Sequence, residues 1–134
     1  MENCIFCKIV KGEIPCAKVY EDKNFFAFLD RSPVNPGHTL VIPKKHFETI
    51  IDTDEQTLCE MMKIVKKISK ASMEALKSDG INISINNYKA AGQLVPHLHI
   101  HVMPRFENDG LKLDWPTKKL PNMDKIASSI QKAL

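Results

Sequence analysis

Long apolar runs are missing from this chain of 134 residues. No stretch approaches the roughly 18 residues that a membrane span requires, so no membrane partner is expected. Glycine is scarce, at 5 residues, and the 43% hydrophobic and 26% charged fractions are ordinary. That composition excludes collagen-like, fibrous and disordered chains. Charge of one sign is not in large excess either: 19 basic against 16 acidic side chains leaves +3. This balance suits an anionic small ligand. Without an aromatic-rich basic face it is too weak for a nucleic-acid module. The opening Met1-Glu2-Asn3-Cys4 has no basic region and begins no apolar stretch, so no export signal is expected and the chain reads as cytoplasmic.

What is present fits one hydrophobic core. A chain of this length buries roughly two-thirds of its unfolded surface, and residues 1–134 are expected to form a single domain with an extension from about residue 106. In a reducing compartment the four cysteines are not a disulfide framework. Cys4 and Cys7 form a C-x-x-C pair. Cys59 falls inside a helical pattern as a small core residue, and Cys16 belongs to an ordinary loop or strand.

An α+β order follows along the chain. Residues 4–12 predict a short helix stopped by Gly12. Residues 17–21 and 25–29 predict strands joined by a polar turn, and after a Pro- and Gly-punctuated loop residues 38–42 predict another. Thr53-Asp54-Glu55-Gln56 resembles a capping box with Thr53 as cap. Behind it Leu58, Met61, Met62, Val65, Ile68, Ser72, Met73 and Leu76 keep a 3.6-residue period to about Gly80, a long amphipathic helix whose wet face carries Lys63, Lys66, Lys67 and Lys70. Residues 81–86 alternate as a strand. Residues 87–93 turn at Gly92, 95–103 form a further strand ended by Pro104, and 123–133 a terminal helix.

The informative segment is His97-Leu98-His99-Ile100-His101-Val102. On a strand, side chains alternate faces, so the three histidines share one side, about 7 Å apart, while the apolar residues pack on the long helix. Three titratable rings in register are poor core chemistry. Two uses are open: a metal site on the strand, or phosphoryl transfer with one imidazole as nucleophile. Gly92-Gln93 immediately upstream favours the second, since a glycine lets backbone N–H groups approach phosphate and a glutamine adds a neutral donor.

These residues resemble the histidine triad (HIT) family. The His-φ-His-φ-His-φ-φ run to Met103 carries the resemblance, with Cys4-Ile5-Phe6-Cys7-Lys8-Ile9, Phe28-Leu29-Asp30, the segment from Pro36-Gly37-His38 through Ile42-Pro43-Lys44-Lys45-His46, and Gly92-Gln93. The resemblance implies an antiparallel sheet of about five strands with one long helix and short terminal helices, usually paired as a homodimer. It also implies hydrolysis or transfer at the α-phosphate of a purine nucleotide through a nucleotidyl-histidine. His99 is then the nucleophile, and His101 serves the phosphate and the leaving group's proton. Asp30 receives the ribose hydroxyls, and Ile5, Phe6, Ile9 and Phe28 form the base slot. Asn86 and Gln93 match polar positions near ribose and phosphate, and Gly92 and Val95 are further nucleotide-binding positions. Adenosine phosphoramidates and dinucleoside polyphosphates both suit such a site; the alternative is a nucleotide-binding scaffold with little turnover. Leu94 departs from the family, which often has Ser or Thr there.

The C-x-x-C pair by itself is a weak signal. Redox chemistry wants it after a buried strand, and a zinc finger wants histidines at short spacing. The bacterial branch of the resembled family supplies a ligand set that matches Cys4, Cys7, His46 and His97. Two thiolates and two neutral imidazoles make a closed, charge-neutral tetrahedral zinc site of structural type. In members without the cysteines, the residue at His46 supports the triad instead. His38 is expected to be structural, bonded within the loop that precedes its strand.

Overall fold

The computed structural model describes residues 3–112 and 115–134; Met1 and Glu2, used above against an export signal, lie outside them. Five strands, β1 (Lys18–Glu21), β2 (Phe25–Leu29), β3 (Thr39–Pro43), β4 (Gly80–Ser84) and β5 (Ile100–Arg105), form one sheet. Its order is β1-β2-β3-β5-β4, antiparallel throughout. Helix α1 spans Ile5–Val10, α2 spans Glu55–Leu76 and α3 spans Met123–Ala133. This is the α+β arrangement expected, with one long helix and two short ones.

The run Phe25-Phe26-Ala27-Phe28 shows why β2 does not alternate in polarity. Phe25 and Ala27 join Val41, Leu98, Ile100 and Val102 against Met61, Val65 and Ile68 of α2. Phe26 and Phe28 point the other way and join Leu40 and Ile42 against Phe6 and Ile9 of α1. A strand covered on both faces is apolar at every position. The α1 side of the sheet is the side that carries the histidines.

Several local expectations change. Asp54, not Thr53, caps α2: its Oδ1 accepts the Thr57 N–H at 2.8 Å, while Thr53 Oγ1 donates to the Thr49 carbonyl at 2.6 Å. A carboxylate is as good a cap as a hydroxyl and adds negative charge at the positive end of the helix. Cys59, Met62, Met73 and Leu76 are exposed rather than core. At 100° per residue Cys59, Met62 and Met73 lie 100° or more from Met61, while Leu76 is the last residue of the helix, beside Gly37. The four lysines are exposed as expected.

The last strand begins at Ile100, not at residue 95, and runs through Pro104. Pro104 is tolerated because β3 pairs with β5 only as far as Thr39 opposite Val102. Its carbonyl faces the loop beyond, where Asn35 Nδ2 donates to it at 2.9 Å. The N–H that proline lacks is on that unpaired side.

Candidate functional site

Residues 95–99 are not strand because the chain bends there: the His97 N–H bonds back to the Val95 carbonyl at 2.8 Å, and the Leu98 N–H to Phe47 at 2.7 Å. The alternation of faces nonetheless survives. Leu98, Ile100 and Val102 are in the α2 core, and the three imidazoles face α1. The rings of His99 and His101 lie 5.0 Å apart, closer than the 7 Å of an ideal strand.

His99 is buried, and its Nδ1 is 2.7 Å from the His97 carbonyl. A carbonyl only accepts, so Nδ1 carries the hydrogen and Nε2 is left with its lone pair. Burial holds the ring below its ordinary pKa, against the opposing pull of the His97 carbonyl and Asp30. The edge of Phe6 packs on it at 5.2 Å.

His101 has the opposite polarity. The Val34 N–H donates to His38 Nδ1 at 3.2 Å, so the proton of neutral His38 is on Nε2. That nitrogen is 2.9 Å from His101 Nδ1, which therefore accepts, leaving His101 with its proton on Nε2. Burial keeps His38 low and, with the neighbouring His99 and His38, pushes His101 down to about 4. Both rings are neutral near pH 7. His38 does bond within its loop, as expected, but its other nitrogen reaches the triad. Its side chain reaches His101 because the β3–β5 pairing sets Leu40, two residues on, opposite His101, which no local spacing reveals.

A hollow of about 380 Å³ gathers the residues expected to bind a ligand. Ile5, Phe6, Ile9 and Phe28 line one part; Asp30, Asn86, Gly92, Val95, His99 and His101 line the rest. Asp30 accepts the Ser32 N–H on Oδ1 at 2.8 Å, and its Oδ2 is 3.7 Å from His38 Nε2, which leaves acceptor capacity. Gly92 is needed for its left-handed backbone, φ 86°, beside Asn86. Its N–H and that of Gln93 are used within the turn, on Lys89 and Tyr88. The Gln93 side chain is also turned away: Nε2 donates to the carbonyls of Glu48 and Val95, and Oε1 accepts the Tyr88 N–H. Gln93 braces the wall instead of facing the hollow. Leu94 stands at the rim, 92% exposed.

Behind the hollow, the donor atoms of Cys4, Cys7, His46 and His97 all lie within 4.8 Å of one another. Cys4 Sγ to His97 Nδ1 and Cys7 Sγ to His46 Nδ1 are each 3.4 Å, and Cys7 Sγ to His97 Nδ1 is 3.6 Å. A tetrahedral zinc ion with ordinary Zn–S and Zn–N bonds requires S···N edges of about 3.6 Å. His97 is fully buried, and its Nε2 donates to the Pro43 carbonyl at 2.8 Å, so Nδ1 presents a lone pair to the thiols. This is the outer hydrogen bond that orients a metal-binding imidazole. The set fits one closed zinc site.

Residues 11–108 match the HIT domain. A crystal structure of a HIT family member from Bacillus subtilis, 44% identical, superposes with TM-score 0.89 over 98% of this chain and 97% of its own. A zinc-bound histidine triad family protein from Mycobacterium smegmatis is 38% identical, with TM-score 0.80 over 99% of both chains. Among sequence relatives, the adenosine 5'-monophosphoramidase hnt1 of Schizosaccharomyces pombe is 40% identical over 86% of this chain and 84% of its own.

The buried neutral rings set a pH dependence. His101 titrates at about 4 in the fold and near 6.5 unfolded, so between these values the unfolded chain binds more protons. Stability is fully present above about pH 6.5 and lost as pH falls toward 4. Asp52, held at about 2 chiefly by the Glu48 N–H, keeps its contribution throughout that window. The urea midpoint is expected to fall between pH 7 and 4.5, with a shallower slope for His101→Asn. An identical slope in the variant contradicts the assignment.

Proposed function

The chain belongs to the HIT domain family, and on that premise we propose that it hydrolyses a purine nucleotide at the α-phosphate, with adenosine phosphoramidates as the substrate class. The observation that carries this reading is the pairing of opposite proton polarities 5.0 Å apart: a lone pair on His99 Nε2 beside a proton on His101 Nε2. His99 Nε2 attacks the α-phosphorus, the bond from phosphorus to the leaving nitrogen breaks, and the departing amine, hydrogen-bonded to His101 Nε2–H, takes a solvent proton relayed through His101, which stays neutral. Water then attacks the phosphorus of the nucleotidyl-histidine, its proton returns to solvent through His101, and His99 is released as a neutral ring. His38 reports and supports the proton state of His101 through their shared hydrogen bond.

The apolar slot suits a purine ring, and Asp30 offers acceptor oxygens to the ribose diol. Leu94 supplies no hydroxyl, so protonation of the leaving group falls to His101. Dinucleoside polyphosphates need less proton assistance because phosphate is a better leaving group than an amine. Zinc held by Cys4, Cys7, His46 and His97 is a structural tie between the start of α1, the end of β3 and the triad. The homodimer proposed for the chain uses the free edge of β4, where Ile83 is exposed. Four free cysteines suit a reducing cytoplasm.

Turnover of adenosine 5'-phosphoramidate and of diadenosine polyphosphates, measured side by side, tests the reading. His99→Ala is expected to lose nearly all hydrolysis while nucleotide affinity stays within about tenfold, or about 1.4 kcal/mol. A folded His99→Ala with wild-type turnover contradicts it.

Elemental analysis is expected to find one zinc per chain, and none in Cys4→Ser with Cys7→Ser. That double variant is expected to be less stable and only partly less active. Complete loss of turnover in the folded, zinc-free protein, restored by added zinc, argues for a catalytic metal instead.

A further inference from the structure

A cluster outside the hollow is bonded to the turn that carries His38. Asp109, whose side chain is nearly buried, accepts both Nε and Nη2 of Arg105 at 2.7 and 2.9 Å. It also takes the N–H groups of Phe106 and Leu111 at 3.1 and 3.0 Å, and Asn35 Nδ2 at 2.8 Å. Five donors saturate a carboxylate that offers about four lone-pair directions. The second hydrogen of Asn35 Nδ2 goes to the Pro104 carbonyl at 2.9 Å, so the Asn35 amide has no freedom left.

Asn35 lies in the turn between Asp30 and His38, and its own carbonyl accepts the His38 N–H at 3.1 Å. Gly37 packs that turn onto α2 and β5: with φ 84°, a Cβ there would overlap Leu76 and press on Pro104. One donor, the Val34 N–H, then falls on His38 Nδ1. At 3.2 Å it is at the long end for an N–H bond and gives way easily if the turn relaxes. Among the described residues no other hydrogen bond selects the His38 tautomer: the His38–His101 contact is satisfied by a proton on either nitrogen, and Asp30 Oδ2, at 3.7 Å from His38 Nε2, is beyond bonding distance and only favours the same proton position. If Val34 moves off, the proton can pass to His38 Nδ1. His101 then donates to His38 Nε2 and turns a lone pair to the leaving group.

We propose that Asn35 and Asp109 are positioning residues: they hold the 34–38 turn so that Val34 fixes the proton order from His38 to His101. The proposal rests on His101 as the proton source for the leaving group. Neither residue lines the hollow, so neither is asked to touch substrate. The effect is therefore selective. A leaving group that needs a proton suffers when the order is lost, and one that departs as a stable anion does not.

The test uses Asn35→Ala, which removes the amide and keeps the backbone. Nitrogen-15 spectra of the free protein are expected to show His38 and His101 in single tautomers in the wild type, and as a mixture in the variant. This arm needs no turnover and stays decisive if the proposed hydrolysis fails. In kinetics, turnover of adenosine 5'-phosphoramidate is expected to fall by about tenfold to a hundredfold, part of what a general acid supplies. The p-nitrophenyl ester of AMP is expected to change by less than about threefold, as is nucleotide affinity. If Asn35→Ala does not fold, Asp109→Asn, which keeps the size of the side chain, is read the same way. Unchanged histidine spectra, or equal losses on both substrates, overturn the proposal.

Discussion

A single hydrogen bond, from His99 Nδ1–H to the carbonyl of His97, organises the site. It decides which nitrogen of His99 is free, and it can do so because the acceptor is held on every side. The His97 ring is tied through Nε2 to Pro43 at the end of β3 and through Nδ1 to the cysteines around α1. The next residue, Leu98, is bonded by its N–H to Phe47 and buried against α2. Both layers of the core therefore converge on one peptide carbonyl. The bend at 95–97, which interrupts the strand, is what aims that carbonyl back at the following ring.

Two identical side chains, two residues apart on one strand, acquire opposite chemistry from their partners alone. His99 faces a backbone acceptor and keeps a lone pair on Nε2; His101 faces an imidazole whose tautomer is set by a backbone donor and keeps a hydrogen on Nε2. Burial favours the neutral form of both rings: a protonated His99 has no lone pair, and a protonated His101 sets a second N–H against the Nε2–H of His38. A low-dielectric hollow thus costs some stability at acid pH and keeps both groups in working form near neutrality.

Much of this was legible in the sequence, for identifiable reasons. Alternation at 97–102 follows from the geometry of one element, and its two faces are as expected; the 3.6-residue period holds at Met61, Val65 and Ile68 but not at Met62, Met73 or Leu76. The residues of the hollow were named through family resemblance, and all but Gln93 line it. What was not legible depends on contacts between distant segments. Gln93 is spent on Glu48, and Pro104 is tolerated because β3 has ended. Cys59 is exposed because the sheet covers only one arc of α2, and His38 joins the triad through strand pairing. The cap moved from Thr53 to Asp54 because both can cap and Thr53 is drawn to Thr49.

The regiochemistry of a trapped intermediate tests the central claim most directly. Rapid acid-free quenching during turnover of adenosine 5'-phosphoramidate, followed by peptide mass spectrometry and phosphorus–nitrogen coupling in NMR, locates the nucleotidyl group. The geometry predicts a single adduct on His99, with phosphorus on Nε2 and Nδ1 still protonated toward the His97 carbonyl. An adduct on His99 Nδ1, an adduct on His97 or His101, or steady turnover with no covalent species contradicts it.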